Sequence, residues 1–377
     1  MGKKNKHNID LLPQNSGGSS SVRFRDVSGG DEGTVDFSNR TVKLRDQSGR
    51  LVTMDLGQTD VHIDRALANY ASGFKLAEAC ADHAAPPIPT ANASDKFFRW
   101  EKDDVFQQVT DIITAPGAAV KEINPRLSTD SYTTVQYAVG AFIPTEIEAN
   151  ADSPLQPSLQ AMRRCMSALI LAREVRVATM LQTAGNWDSS VYQNLGSGAK
   201  WNGGGSSDPV GNLLTAIQKS LMPVTGIVIS EACYHAFVQN AAVQKYIVSK
   251  INVPGLPSPE QITGSLALLG LPPIHIAAMK YKSPTAGTYG YVWGNDVVLL
   301  HQSSTLPSDG QSIASAYTFR WNGGNVGDAT VDGGFIVRSF FNQFRGPRGG
   351  RQIVVTHNDA EKMTSNIVGG LIKGALQ

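Results

Sequence analysis

The 377-residue chain carries 33 Lys and Arg against 32 Asp and Glu, a net charge of +1, and 41% of its residues are hydrophobic. This balance is typical of a globular protein large enough for two or more cores, and it excludes bulk disorder. It creates no overall basic field, so any contact with nucleic acid has to be local.

The three cysteines lie far apart and form no metal-binding pattern, and we expect reduced, buried thiols in a cytoplasmic context. They are Cys80, Cys165 and Cys233. No window reaches the ~18 apolar residues of a membrane span, and no apolar stretch follows the basic first residues. Neither export nor a membrane contact is predicted.

The N-terminal part of the chain has little hydrophobic periodicity. Residues 1 to about 22 are basic and then rich in Ser and Gly, which is typical of an arm that orders only against a partner, or of a disordered tail. Short alternating runs from Val22 to Leu56 predict small hairpins, which cannot bury a core alone. Val61 to Asp82 is predicted to be a helix that stops before the rigid Pro86–Pro89 segment.

Two strand-like stretches follow. Lys96 to Val109 and Tyr132 to Ile147 are rich in aromatic and β-branched residues, and a turn-rich polar connection separates them. This arrangement predicts an extended two-stranded tongue. Because such a ribbon is marginal in water by itself, we expect it to lie on a neighbour.

The longest helical pattern runs from Ser153 to Gly185, and we call it the spine helix. Ser153 is a good N-cap, Pro154 suits the first helical position and Gly185 closes the far end. At 1.5 Å per residue it would be roughly 45 Å long. One apolar stripe is formed by residues spaced three and four apart: Leu159, Met162, Met166, Leu169, Ile170, Val177, Met180 and Leu181. Apolar residues also occupy the other side, which predicts burial on two sides: Ala161, Ala168, Leu171, Ala172 and Val175.

One charged residue interrupts this stripe. Arg173 lies inside it, and its neighbour Glu174 cannot face it on a helix. A buried guanidinium needs a partner from elsewhere. Glu146 and Glu148, which precede the helix, are the hypothesised partners.

After the spine helix, Leu195 to Asp208 is predicted to be a glycine-rich linker and a domain boundary. A compact α/β module follows. Its predicted parts are a helix capped by Asp208 and opened by Pro209, a buried strand Gly226–Ser230, a helical segment from Ser230 to about Ser249, a helix from Ser258 to Gly270, and strands at Ile274–Ala278 and Tyr291–His301. From Ala316 onward we expect strands that return to the spine helix and a short final helix near Met363 to Leu376.

The patterns that normally carry chemistry are incomplete, so no catalytic, cofactor-binding or metal-ligating residue is predicted. Gly196–Lys200 lacks the spacing of a phosphate-binding loop. The strand Gly226–Ser230 continues directly into Glu231, without the GxGxxG pattern of a dinucleotide site or the GxSxG pattern of a nucleophilic serine. The histidines are scattered singly, and Asp328–Gly333 lacks EF-hand spacing. The basic segment Arg345–Arg351 could touch phosphates or be a plain exposed loop.

The order of these parts resembles the major capsid proteins of tailed bacteriophages with the HK97-like fold. The local likenesses are FKLAEACADHAAPPIPTANASDKFFRWE, TAPGAAVKEI, YTTVQYAVGAFIPTEIEANAD, LILAREVRVATML, GYVWGNDVVLLHQS and RQIVVTHNDAEKMTSNIVGGLIKG. They are spread over about Val61 to Lys373, and no single motif among them is diagnostic.

The resemblance implies an α+β fold with an N-terminal arm, a two-stranded E-loop, a peripheral domain with the long spine helix and an α/β axial domain. The expected boundaries are 1–60 for the arm, 61–95 for the arm helix and Pro-rich connector, 96–147 for the E-loop and entry strands, 148–206 for the peripheral domain, 207–315 for the axial domain, and 316–377 for the return to the peripheral domain.

The implied function is structural: many copies would form an icosahedral capsid around double-stranded DNA, located in the virion and assembled in the host cytoplasm. The implied partners are other copies in hexamers and pentamers, portal and scaffold proteins, packaged DNA on the inner face and a possible decoration protein. Some members of the family cross-link their subunits covalently through a lysine and an asparagine. No such cross-link is expected here, because no motif in this sequence marks either residue. The short arm favours a separate scaffold protein over a large cleaved segment.

Two alternatives stay open. An encapsulin-like nanocompartment would have the same fold but enclose cargo enzymes, and the basic arm and loop favour DNA only weakly. An α/β enzyme with its site between Pro209 and His301 is disfavoured, because no cluster of nucleophile, base and anion cradle is present.

Overall fold

The computed structural model describes five N-terminal strands and most of the chain from residue 76 onward. The described residues are 9–11, 21–26, 32–36, 41–45, 51–55 and 76–377, except 77–78, 103–112, 115, 118–127, 152–155, 204–206, 252–263, 266, 268–269, 284–286, 304–311 and 322–334.

The N-terminal strands form one antiparallel sheet in sequence order. They are β1 (Ile9–Leu11), β2 (Ser21–Asp26), β3 (Glu32–Asp36), β4 (Thr41–Arg45) and β5 (Leu51–Asp55). The predicted hairpins are therefore confirmed. The prediction of an arm without structure of its own is wrong at β1, whose backbone pairs with β2.

The spine helix extends from Pro157 to Gln182, 26 residues or about 39 Å. It begins three residues later than predicted, because Pro157 itself takes the first helical position, where its missing N–H costs nothing. The predicted cap at Ser153 and start at Pro154 lie outside the described residues. Gly185 lies beyond the helix, in the short 3₁₀ turn Ala184–Asn186.

Burial along the spine helix is one-sided in its first half. Met162, Met166 and Leu169 are buried as predicted. Ala168 and Ala172 are exposed, whereas Leu171 and Val175 are partly buried. The prediction of burial on two sides is therefore wrong for the two alanines.

The spine helix packs on a mixed sheet built around one long strand, β18 (Gly350–Met363). The strands that join it are β9 (Val135–Pro144), β17 (Ile336–Asn342), β16 (Ala316–Trp321) and, parallel to β16, β6 (Pro87–Thr90). Val337, Ile353 and Val355 meet the buried face of the helix. The predicted return of the late strands to the spine helix is confirmed for β16, β17 and β18.

The tongue is present as an antiparallel pair of β7 (Ser94–Arg99) and β8 (Ser128–Thr133). It packs on the spine sheet, since the Tyr132 ring stacks on Phe319 with centroids 4.4 Å apart. The first predicted strand is too long, because Lys102 is already helical, and 103–112 lies outside the described residues.

The second predicted strand of the tongue is divided into two. It breaks at Thr134, because β8 pairs with β7 whereas β9 pairs with β18. After Pro144 the chain forms a short helix, Thr145–Ala149.

A second sheet belongs to the α/β module. Its order is β10 (Tyr192–Asn194), β19 (Gly370–Lys373), β15 (Val297–Leu300), β11 (Gly226–Ser230) and β12 (Ile274–Ala277). A separate hairpin consists of β13 (Lys280–Lys282) and β14 (Tyr289–Tyr291). The fully buried strand β11 is confirmed.

The helices of this module are Pro209–Lys219, Glu231–Gln239 and Ala241–Ile251. Two predicted caps are confirmed: the Asp208 carboxylate accepts from the Gly211 N–H at 3.0 Å, and the Ser230 hydroxyl accepts from the Cys233 N–H at 3.3 Å. The helical segment predicted after Ser230 is divided at Asn240, whose side-chain oxygen accepts from the Ala242 N–H and caps a new helix. The predicted capping residues Ser258 and Gln261 lie outside the described residues.

Two predictions about the periphery of this module are wrong. The Leu195–Asp208 segment is not a free linker, because Trp201 is 1% exposed in the module core. The backbone N–H of Trp201 also donates to Ala375 O at 2.8 Å. The final segment is the strand β19 rather than a helix. It lies between β10 and β15, so the last residues pair with the module sheet instead of returning to the spine sheet.

Close backbone approach explains why β19 is entered through two glycines. Gly369 has φ +94°, and a Cβ there would lie against Leu299 O and 2.9 Å from Ser315 Oγ. At Gly370 a Cβ would lie 2.8 Å from Val191 O. A side chain at either position would push the strand out of the sheet.

We expect Gly369→Ala to destabilise the chain by about 3 kcal/mol or more, through crowding added to left-handed backbone strain. Gly287→Ala is the matched control, because Gly287 has φ +66° but a Cβ added there would have no neighbour within 4 Å. It should cost about 1 kcal/mol. Urea unfolding of both variants measures this, and equal costs would contradict the role of close approach.

Candidate functional site

The most distinctive polar feature is an ionic network buried beneath the spine helix. Arg173, 8% exposed, donates to Asp82, to Ala85 O at 3.1 Å and to Thr318 Oγ1 at 3.2 Å. Its Nε lies 3.8 Å from Asp359 Oδ2. The predictions that Arg173 is buried and that its partner lies outside the spine helix are confirmed.

The predicted partners of Arg173 are wrong. Glu146 and Glu148 lie instead beside the loop before β18, 4.0 Å from Arg348 Nε and 3.1 Å from Arg351 Nε. The reason is topological, because β9 pairs with the first residues of β18 and so carries the glutamates to that end of the sheet.

Asp359 is the fully buried anion of this network. Arg320 donates to its two oxygens from Nε at 2.7 Å and from Nη2 at 2.8 Å, the bidentate geometry in which a guanidinium binds a carboxylate most strongly. Burial alone would raise the pKa of Asp359, but the hydrogen bonds and charge of Arg320 outweigh it and hold the pKa below the usual value.

His357 lies in the same network without a hydrogen bond to either ring nitrogen. Its ring is completely buried, with the centroids of Tyr137 and Phe335 each 5.3 Å away. Burial lowers the pKa of His357 to about 4, although Asp359 Oδ2 lies 3.5 Å from Nε2 and opposes the shift. The arginines nearby add to the lowering, so this histidine is neutral at physiological pH.

Glu174 is a buried acid that the sequence patterns did not single out. Its carboxylate accepts from the Cys80 N–H at 2.9 Å, the Ala81 N–H at 2.8 Å and the Trp293 Nε1–H at 2.5 Å. Burial raises its pKa despite these three donors. A signal was available, since position 174 falls four residues after Ile170 and three before Val177, within the apolar stripe.

Glu174 also explains why the helix predicted from Val61 to Asp82 is wrong at its end. Ala79 and Cys80 are not helical, and a separate short helix covers Ala81–Ala84. The Glu174 carboxylate takes the backbone N–H groups that a continuous helix would have bonded internally. Residues 61–75 lie outside the described residues.

Two of the remaining motifs have structural roles, whereas Asp328–Gly333 lies outside the described residues. Ser197–Ala199 is a 3₁₀ turn, and Ser230 caps a helix. Among the described residues no group of three or more His, Cys, Asp or Glu could hold a metal ion, and none of their helices is long and apolar enough to cross a membrane.

The three cysteines are free and buried, as predicted, and burial raises the pKa of Cys80 to about 12.

The basic loop before β18 is exposed, but its charges have partners within the chain. Arg345 lies over the Phe142 ring at 4.7 Å. Arg348 of the loop and Arg351 at the start of β18 pair with the glutamates of the Thr145–Ala149 helix. Such exposed pairs stabilise weakly and exchange partners easily. The loop and the neighbouring Thr145–Ala149 helix therefore present both signs of charge together rather than an uncompensated cationic surface for phosphates.

Comparison with known proteins identifies the fold. No family model matches the chain, and no curated protein matches it. Among solved structures it is similar to a phage-related protein from Bordetella bronchiseptica RB50, with a TM-score of 0.63 and 18% identity over 84% of this chain and 98% of that one. It also matches the capsid of cyanophage P-SCSP1u (TM-score 0.49, 11% identity, 77% and 86% covered) and the SrpI encapsulin of Synechococcus elongatus PCC 7942 (TM-score 0.42, 9% identity, 77% and 86% covered).

These comparisons bear on the fold alone. The likeness to the Bordetella protein covers nearly all of that structure and carries the comparison. It confirms the expected α+β architecture of the HK97-like fold, in which a long helix packs on one sheet and a second sheet forms a separate module.

Replacing Arg173 tests the network. We expect Arg173→Met to lower the free energy of unfolding by about 3 kcal/mol, because Asp82 and two buried oxygens lose a donor while Asp359 keeps Arg320. Arg164→Met, at an exposed position of the same helix, should change it by less than about 0.5 kcal/mol. An unchanged free energy of unfolding in both variants would contradict the role of Arg173 in the buried network.

The pKa of His357 predicts a pH dependence. Its folded pKa of about 4 lies below the ordinary 6.5, so the unfolded chain binds the proton first. Its contribution to stability is complete above pH 6.5 and is lost as the pH falls from 6.5 to about 4, by about 3 kcal/mol in total. Glu174, whose pKa is raised, works in the opposite direction.

Urea unfolding between pH 7 and 4 in wild type and His357→Leu separates these effects. The variant should lack the destabilisation that His357 causes while keeping the contribution of Glu174. Identical pH profiles for the two proteins would show that His357 does not control this acid sensitivity.

Proposed function

We propose that this chain, which has the HK97-like fold, is the major capsid protein of a tailed bacteriophage and acts as a structural protein without catalytic activity. Copies would assemble into an icosahedral shell around double-stranded DNA. The observation that carries the proposal is the fold shared with a phage-related protein over 98% of that protein's length.

Features of the isolated chain support a role in assembly. The tongue packs on the spine sheet through an aromatic base at Phe97, Tyr132 and Phe319, and the described residues beyond that base include Ile113, which is 97% exposed. A large apolar side chain left in water in this part of the chain favours completion by another copy.

The proposed domain organisation follows the boundaries expected from the sequence. Residues 96–147 would form the E-loop and its entry strands, 148–206 and 316–377 the peripheral domain, and 207–315 the axial domain. One qualification comes from β19, which pairs with β10 and β15, so the chain end would join the peripheral and axial parts.

The finer parts of the proposal concern partners and place. Copies would form hexamers and pentamers, with a portal and a separate scaffold protein guiding closure, and the shell would assemble in the host cytoplasm and become part of the virion. Arg348 and Arg351 are paired with glutamates, so they give little support for DNA contact at the loop before β18.

Electron microscopy of the chain expressed alone and with its genomic neighbours tests the function. We expect closed or aberrant shells, with double-stranded DNA inside authentic particles. Shells filled with protein cargo would favour the nanocompartment alternative, and monodisperse small oligomers under both conditions would refute the capsid proposal.

A further inference from the structure

One end of the spine sheet exposes three large apolar side chains. Phe344 is 87% exposed, Ile147 is 56% exposed and Phe341 is 54% exposed. A globular chain normally exposes such residues singly, whereas clusters of them mark interaction sites. We call this group, with the loop 343–349 that carries Phe344, the phenylalanine tip.

The backbone links Phe341 to the helix that carries Ile147, and Phe344 lies in the loop between them. The Phe341 ring lies over Gly349, whose carbonyl accepts from the Thr145 N–H at 3.2 Å, at the start of the helix that carries Ile147. Gly349 has φ +71° and Gly346 has φ +79°, so the loop takes a fixed shape that other residues would strain. The loop that carries Phe344 is therefore anchored to the Thr145–Ala149 helix and has a backbone that favours glycine at two positions.

The charges around the tip determine which partner fits. Arg348 and Arg351 lie beside Glu146 and Glu148, and the side chains of all four are between 36% and 77% exposed. Nucleic acid or an anionic membrane would require uncompensated cations. A surface with both signs around an apolar centre instead complements another surface of the same kind, and weak exposed pairs can exchange partners at little cost.

The strand beside the tip is also open to a second chain. β9 pairs with β18 over 135–144 and with no other described strand. Its sequence VQYAVGAFIP has no charged residue and no proline before its last position, so it lacks the usual protection of an edge strand. Phe142 of this strand contacts Arg345 of the tip, which makes the open edge and the apolar tip one continuous surface.

We propose that the phenylalanine tip is a contact surface for a second copy of this chain, with Phe344 and Ile147 buried between copies. This inference rests on the proposed capsid function and deepens it, because it assigns a contact between subunits to particular residues.

Thiol labelling tests the contact directly. In the variants Phe344→Cys and Ile147→Cys the new thiol should react with a small maleimide at least 10-fold more slowly in assembled particles than in unassembled subunits. The three natural cysteines are buried, so their background reaction is low. Equal labelling rates in the two states, at either position, would overturn the proposal.

A matched pair of variants tests the energetic role. Phe344→Ser should reduce the yield of particles at least fivefold, whereas Tyr289→Ser, which removes a 76% exposed aromatic from a different hairpin, should leave it close to wild type. Equal yields from both variants would count against a special role for the tip. If wild-type chain forms no particles under any condition, the capsid function fails, whereas wild-type particles with an unprotected tip refute only this inference.

Discussion

The arrangement of this chain depends on two adjacent, oppositely charged residues in the middle of the spine helix. Successive residues of a helix point about 100° apart, so Arg173 and Glu174 cannot neutralise each other and must find separate partners. Arg173 reaches Asp82 and the spine sheet, whereas Glu174 binds the backbone at 80–81 and the indole of Trp293. A buried charge without a partner costs several kcal/mol, so these segments are stable only when they meet the helix together.

This requirement explains which predictions from sequence succeeded. Strand β11 and its flanking caps at Asp208 and Ser230 follow from local signals, because a buried strand and a helix start are specified by neighbouring residues. The tongue and the spine helix were likewise visible from periodicity. The end of the helix predicted from Val61 to Asp82 was misplaced by a tertiary contact, because the Glu174 carboxylate takes the N–H groups of residues 80 and 81.

Two of the failures were long-range. The hypothesis that Glu146 or Glu148 neutralises Arg173 used nearness in sequence, but the acids that do so, Asp82 and Asp359, are distant in sequence from Arg173 and reach it through the sheet. The last strand has helical periodicity in its sequence, yet Gly369 and Gly370 allow it to pass within contact distance of Leu299 and Val191 and to pair inside the module sheet. The two glycines are a local signal against a helix, but nothing local specifies the strands with which this segment pairs.

The same contrast separates the interior of the molecule from its margins. Beneath the spine helix, buried charges such as Arg320 and Asp359 are paired where hydrogen bonds are strong and rearrangement is costly, which fixes the spine sheet against the helix. At the margins, exposed ion pairs such as Arg351 with Glu148 are weak and exchangeable, and apolar residues such as Phe344 remain in water. A subunit that has to join others in one geometry needs both properties: a rigid frame that sets the angles between its surfaces, and surfaces whose own contacts are weak enough to give way to a neighbour. In the proposed capsid, the favourable free energy of burying Phe344 would be gained only on association, so the frame could be stable before assembly while the shell formed reversibly and a misplaced subunit could dissociate before closure.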